Sequence, residues 1–125
     1  MGKVLVVEDD ADLCETCVDL LESVGHEVQA VGSSLQAMEC LIQGRMKPDV
    51  VLLDLNLPGG SGIVVLGLIR RLPRLSHTKV VIVSGYPDMA NRAVELWDAD
   101  LFLAKPVPME LLKSTVGDLC SKAVG

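Results

Sequence analysis

Two hydrophobic patterns alternate along this chain. Short apolar runs stand at 3–7 (KVLVV), 50–53 (VVLL), 79–83 (KVVIV) and 101–104 (LFLA), each bounded by acids, glycine, serine or lysine. Unbroken runs of that length predict strands buried on both faces, as in a parallel sheet. Residues 27–31 (EVQAV) predict one more short strand. Between the runs, apolar positions recur every three or four residues, which is helical spacing. Leu13, Cys17, Leu20, Leu21 and Val24 form the first such stripe, with Gly25 as its stop. Ser33 or Ser34 can cap a second helix that carries Leu35, Met38, Leu41 and Ile42 and ends at Gly44. Ile63, Leu66, Ile69 and Arg70 mark a third helix stopping before Pro73. Asp88 can cap a fourth that reaches about Trp97, and Pro108 opens a last one over Met109, Leu111, Leu112, Val116, Leu119 and Cys120.

Strand and helix thus alternate five times in 125 residues, the length of one ordinary domain, taken as 1–125. Right-handed crossovers lay helices on both faces of the sheet. The expected fold is therefore α/β, a doubly wound (βα)5 unit around a five-stranded parallel sheet. In such sheets reactive groups gather outside the C-terminal strand ends, where strand order reverses. That rule selects Glu8 and Asp9 after the first strand, Asp54 after the third, Ser84 after the fourth and Lys105 after the fifth.

Composition removes several function classes. Half of the residues are hydrophobic and mean hydropathy is +0.42, yet no stretch approaches the roughly 18–20 apolar residues that cross a bilayer. The opening MGKVLVVEDD meets acids too early for a signal peptide, so a cytoplasmic protein without membrane attachment is expected. A formal charge of −6 and a pI near 4.7 argue against an electrostatic grip on nucleic acid or anionic lipid. Arg70, Arg71 and Arg74 form a small basic patch that reads as a solvated helix end. Cys14 and Cys17 spell C-E-T-C, but they lie within a helical stripe, and no second ligand pair stands at zinc spacing. With Cys40 and Cys120 they read as reduced packing residues.

Three carboxylates crowded at one sheet edge repel one another unless a cation relieves them. A hard divalent ion held through oxygens does so, and Mg²⁺ suits a site with few carboxylates, with Mn²⁺ able to substitute. Lys105 adds a fixed positive charge from the neighbouring strand. Such a cup suits a carboxylate attacking a phosphoryl group. Asp54 is then the nucleophile, the ion and Lys105 neutralise phosphoryl oxygens, and the Ser84 hydroxyl donates to one of them.

The segments LVVEDD, LLDLNLPGGSG, VIVSG and FLAKP, in that order and each at the end of its own strand, resemble the receiver domain of bacterial two-component response regulators. The resemblance runs from about Lys3 to Ala123 and implies a flavodoxin-like, CheY-like sheet of strand order 2-1-3-4-5. It implies a signalling phosphoacceptor that catalyses only its own phosphorylation and dephosphorylation, not an enzyme acting on a separate substrate. The phosphoryl group would come from a sensor histidine kinase or histidine phosphotransfer protein in a Mg²⁺-dependent step. The face of helix four, strand five and helix five would then switch, to be read by a downstream protein or by a second copy in a homodimer.

Position by position, the resemblance puts Asp54 on the phosphoacceptor and Glu8 and Asp9 on the acidic pair that holds the metal, joined by the backbone carbonyl of Asn56. Ser84 falls on the switch hydroxyl, Phe102 on the switch aromatic and Lys105 on the site lysine, followed by Pro106, which in this family commonly follows a cis bond. Pro58 and Gly62 match the loop that shapes the site.

Several positions depart from the commonest pattern. Glu8 is longer than the usual Asp, and Ser84 replaces the frequent Thr. Asp98-Ala99 stands where Gly-Ala is common, putting an Asp at a helix end that favours Gly. Tyr86, two after Ser84, is placed to overhang the phosphoryl site and slow water attack, and the Asn56 side chain is a second position that tunes lifetime. Phe102 also reads as a core ring, and Trp97 as a packing residue or as an anchor for a partner. A haloacid-dehalogenase-like phosphatase would need a second acid at position 56, where Asn56 stands. A flavodoxin-like cofactor binder would not set Glu8, Asp9 and Asp10 against a phosphate. A phosphorylation-independent docking module with this fold, and a receiver segment of a hybrid histidine kinase, both remain open at this level.

Overall fold

Parallel pairing organises the chain in the computed structural model, which describes residues 2–44, 46–57 and 60–124. Pro58, expected to shape the site loop, lies outside the described residues. The strands are β1 (Lys3–Val7), β2 (Glu27–Val31), β3 (Val50–Leu53), β4 (Lys79–Ser84) and β5 (Leu101–Ala104). They pair in the order β2-β1-β3-β4-β5, as expected, with Val6 opposite Leu52 and Leu52 opposite Val81 in the central ladders. The helices between them are α1 (Ala11–Ser23), α2 (Ser34–Ile42), α3 (Gly62–Arg71), α4 (Pro87–Trp97) and α5 (Met109–Val124). A two-residue antiparallel ladder joins Asn56–Leu57 to Gly60–Ser61 just before α3.

Side chains alternate across the sheet and so divide the core into two layers. Leu5, Val7, Val51, Leu53, Val80 and Ile82 face α2, α3 and α4, meeting Ala37, Leu41, Leu66, Ile69 and Ala93. Val4, Val6, Val50, Leu52 and Val81 face α1 and α5, meeting Cys17, Leu21, Leu112, Val116 and Leu119. Burial on both faces is what the unbroken apolar runs of β1, β3 and β4 encode. β2 differs: it is an edge strand, and Glu27, Gln29 and Ala30 are exposed.

Helix ends follow local chemistry. The Asp10 carboxylate accepts from the N–H groups of Asp12 and Leu13 and starts α1, and the Ser33 hydroxyl accepts from Gln36 N–H and starts α2. Gly25 and Gly44, at φ 96° and 70°, supply the left-handed turns that stop those two helices. Asp88 does not cap α4, because Pro87 takes the first helical position and leaves Asp88 within the first turn. Asp98 ends α4 in the left-handed region, at φ 61° and ψ 38°.

The predicted core stripe of α2 is corrected at two of its four positions, Leu35 and Ile42, while Leu41 is buried and Met38 packs against the core as expected. Leu35 and Ile42 are 58% and 62% exposed, while Ser34, Ala37, Cys40 and Leu41 face the sheet. Arg70 is likewise no solvated helix end. Its guanidinium donates to the Asp98 carbonyl, the Thr78 carbonyl and the Asp100 carboxylate, each at 2.9 Å.

Candidate functional site

The C-terminal ends of β1, β3 and β5 deliver the ionisable groups to one place. Asp54 is the first residue after β3, and its N–H donates to the Val7 carbonyl at 3.1 Å, which aligns it with the end of β1. Its carboxylate is nearly buried, at 6% exposure. Oδ1 accepts from the Asn56 N–H at 3.0 Å, and Oδ2 accepts from the Lys105 ammonium at 3.1 Å. Lys105 also pairs with Glu8 Oε1 at 2.8 Å, while Glu8 Oε2 accepts from the Asp10 N–H at 3.1 Å. Lys105 directly follows β5 after Ala104, its own N–H donates to the Ser84 carbonyl at 3.0 Å, and the bond to Pro106 is cis.

Burial pushes the Glu8 carboxyl above its ordinary value, against the opposing pull of Lys105 and the Asp10 N–H, and the Asp54 charge adds to the rise. For Lys105 burial pulls the ammonium down, but bonds to Glu8 and Asp54 outweigh it and hold it above the ordinary lysine value. The site therefore keeps its cation fully charged beside Asp54.

Carboxylate oxygens of Glu8, Asp9 and Asp54 lie within 4.8 Å of one another. Three hard oxygen donors at that spacing, facing a single ammonium, fit a hard divalent cation. They border an open cleft of about 500 Å³, also lined by Asp10, Asn56, Gly85, Tyr86 and Lys105. This volume accommodates an ion with waters and a phosphoryl group.

The other expected residues sit at graded distances from the acids. Ser84 ends β4, is 1% exposed, and its hydroxyl accepts from the Tyr86 N–H at 2.9 Å, so it stands behind the cleft wall. Tyr86 is 55% exposed at the cleft rim. Phe102 is half-buried, opposite Ile82 in the ladder, and packs on the layer that faces α4. Trp97 is away from the cleft, its ring 3.7 Å from where a Cβ on Gly67 would stand. Two contributors escaped the sequence reading. Asp10 links Glu8 to the start of α1, and an Asp directly before a helical stripe is itself a capping signal. Arg70 fastens the turn after α4, for which the sequence offers no signal.

The four cysteines are free, and burial pushes the Cys17 thiol up to about 11 and raises Cys14 and Cys120 as well. Protonated thiols of this kind pack and do not attack. Among the described residues no helix is long and apolar enough to cross a membrane.

Comparison with known proteins gives this geometry its family. The family model for the response regulator receiver domain matches residues 4–117. This chain belongs to the response regulator receiver domain family. The receiver domain is 39% identical over 117 residues to the response regulator protein FleR of Pseudomonas aeruginosa, covering 92% of this chain and 24% of FleR. It spans about half the length of other curated relatives it matches, 48% in one case. Among solved structures it resembles the CheY-like receiver domain from Methylobacillus flagellatus, at 32% identity and TM-score 0.81 over 95% of this chain and 98% of that one. It also resembles the phosphorylated cyanobacterial phytochrome response regulator RcpA, at 27% identity and TM-score 0.80 over 99% of this chain and 94% of that one.

Proposed function

We propose that this receiver domain takes a phosphoryl group onto Asp54 from a phosphohistidine on a sensor kinase or phosphotransfer protein, and signals by the change that follows. The observation that carries this reading is the buried Asp54 carboxylate at a strand end, 3.1 Å from an ammonium and clustered with two further acids. The phosphorus–nitrogen bond of the donor breaks as a bond from an Asp54 oxygen to phosphorus forms, and the departing imidazole takes up a proton. Lys105 is already beside Asp54, so its charge meets the phosphoryl oxygens without reorganisation. Glu8, Asp9, Asp54 and the Asn56 carbonyl are the groups that would hold Mg²⁺. That ion, when bound, neutralises the charge that develops on the phosphoryl oxygens. The Asn56 N–H orients the Asp54 carboxylate from the other side.

For signalling, the Ser84 hydroxyl turns from the Tyr86 N–H to a phosphoryl oxygen, and Phe102 repacks behind it. The physical content is a two-state equilibrium biased by hydrogen bonds that exist only after phosphorylation. The α4, β5 and α5 face carries the change to a downstream protein or a second copy. Tyr86 shields the phosphoaspartate from water, and Asn56 supplies no acid to hydrolyse it, which favours a signal over turnover. Intact mass after incubation with Mg²⁺ and acetyl phosphate tests the reading. A gain of one labile phosphoryl group in the wild type and none in Asp54→Asn is expected; equal gain in both would defeat it.

A further inference from the structure

We propose that the open edge of β2 is a docking site for an extended segment of a partner protein, which adds to the sheet as a further strand and carries two neighbouring basic residues. β2 ends the sheet and pairs only with β1. In that ladder the Glu27 N–H donates to the Gly2 carbonyl at 2.9 Å, and the Val31 carbonyl accepts from the Glu8 N–H at 3.1 Å. Glu27, Gln29 and Val31 therefore turn their main-chain groups toward β1, and alternation turns those of Val28 and Ala30 outward. The next outward N–H, that of Gly32, is taken by the Gln36 side chain at 2.9 Å. The main-chain groups of Val28 and Ala30 are left as a template for strand addition. Natural edges are commonly blunted by lysine, proline or a bulge, and the regular stretch Val28-Gln29-Ala30 has none of these.

This edge is the floor of a groove of about 610 Å³, larger than the acidic cleft. α1 covers one face of the sheet and α2 the other, so the two helices wall the groove from opposite sides. Cys14, Glu15 and Val18 form one wall, and Glu39, Cys40 and Gln43 the other, each set at the i, i+1, i+4 spacing of a single helical face. Glu15 and Glu39 are exposed, and among the described residues no lysine or arginine lines the groove. Glu8 and Asp9 at one end deepen its negative potential. Consecutive side chains of an added strand point to opposite faces. One of them meets Glu15 and the next meets Glu39, so two adjacent lysines or arginines answer both walls. The same charges decide against a second copy as the occupant. Pairing two β2 edges about a two-fold axis would gather Glu15 and Glu39 of both chains with no cation between them.

The test uses the full chain and two short blocked peptides, one with a pair of adjacent lysines between valines and threonines, the other with glutamates in place of the lysines. Binding is read by fluorescence anisotropy, and its location by amide hydrogen exchange followed residue by residue. The lysine peptide is expected to bind and to slow exchange at Val28 and Ala30 about tenfold, with β3 unchanged. The glutamate peptide should bind about tenfold more weakly. Ala30→Pro removes an outward N–H and spares the β1 ladder, a change that edge strands accept. It is expected to weaken the lysine peptide about fivefold, the equivalent of one lost main-chain bond. Glu15→Lys/Glu39→Lys should weaken that peptide about tenfold and strengthen the glutamate peptide. Should Ala30→Pro not fold, the exchange pattern of the wild type and the charge-reversed variant decide. No binding of the lysine peptide, equal binding of both peptides, unchanged exchange at Val28 and Ala30, or a folded Ala30→Pro that binds normally would each overturn the proposal. Self-association in sedimentation that Ala30→Pro abolishes would give the edge to a second copy and overturn it as well. These variants leave Asp54 and Lys105 untouched, so the outcome is independent of the phosphoacceptor reading.

Discussion

No side chain fits at Gly62, because the carbonyl oxygen of Asp54 occupies the place where a Cβ would stand and the Leu55 Cα lies 2.9 Å from it. The Gly62 N–H also donates to the Leu55 carbonyl at 2.9 Å, so α3 begins docked on the backbone that carries Asp54. These neighbours are main chain and cannot swing aside. Gly62→Ala is expected to cost about 1–3 kcal/mol in urea unfolding through overpacking. It should also slow phosphorylation by displacing Asp54; full stability and a normal labelling rate would contradict the docking.

Gly117 is the opposite case. It lies within α5, and a Cβ there meets nothing within 4 Å. Gly117→Ala is expected to raise stability by about 0.5–1 kcal/mol, from helix propensity alone. The same unfolding curves that report Gly62 check it.

Arg70 fastens three segments with one planar group, at 2.9 Å to the carbonyls of Thr78 and Asp98 and to the Asp100 carboxylate. Asp100 Oδ2 also accepts from the Val80 N–H at 2.7 Å, so removing the arginine leaves a part-buried carboxylate with only the longer 4.0 Å contact to the Lys79 ammonium for charge compensation. Arg70→Ala is expected to destabilise by about 2–4 kcal/mol, since hydrogen bonds to charged groups outweigh neutral ones. Arg70→Lys should recover little, because an ammonium cannot reproduce the fork. Thermal and urea unfolding of both variants give the comparison.

What was legible before the structure follows from which interactions are local. The runs KVLVV, VVLL and KVVIV announce buried strands by themselves, and Glu8, Asp54 and Lys105 follow as strand-end residues. The orientation of α2 was legible only in part, at Met38 and Leu41. In SLQAMECLI most positions are apolar or small, and packing turns Ala37 and Cys40 inward because small side chains let the helix approach the sheet. Asp88 is not the cap because α4 starts one residue earlier, at Pro87, whose fixed φ suits the first helical turn, and Tyr86 takes the cap position. The Arg70 partners lie 8, 28 and 30 residues away, beyond any local pattern.

His26 gives the fold a pH dependence with a definite sign. Its Nδ1 accepts from the Gly2 N–H at 3.0 Å, so the bonded ring nitrogen must be unprotonated. Burial lowers its pKa below the ordinary 6.5. A base whose folded pKa is depressed stabilises fully above its unfolded value and loses that stabilisation as pH falls through the folded value. Stability is therefore expected to fall more steeply between about pH 7.5 and 5.5 in the wild type than in His26→Gln. The upward shift of Glu8 has the opposite sign and acts in both proteins, so the difference between their curves isolates His26. Parallel curves would contradict the assignment.

Hydride trapping at Asp54 tests the central claim most directly. Acetyl phosphate and Mg²⁺ load the chain, borohydride reduces an aspartyl phosphate to an alcohol as phosphate leaves, and peptide mapping locates the reduced residue. Homoserine is expected at position 54 and at no other acid. An unchanged Asp54 in a chain that has gained a phosphoryl group, with reduction at Asp9 or Glu8 instead, would contradict it.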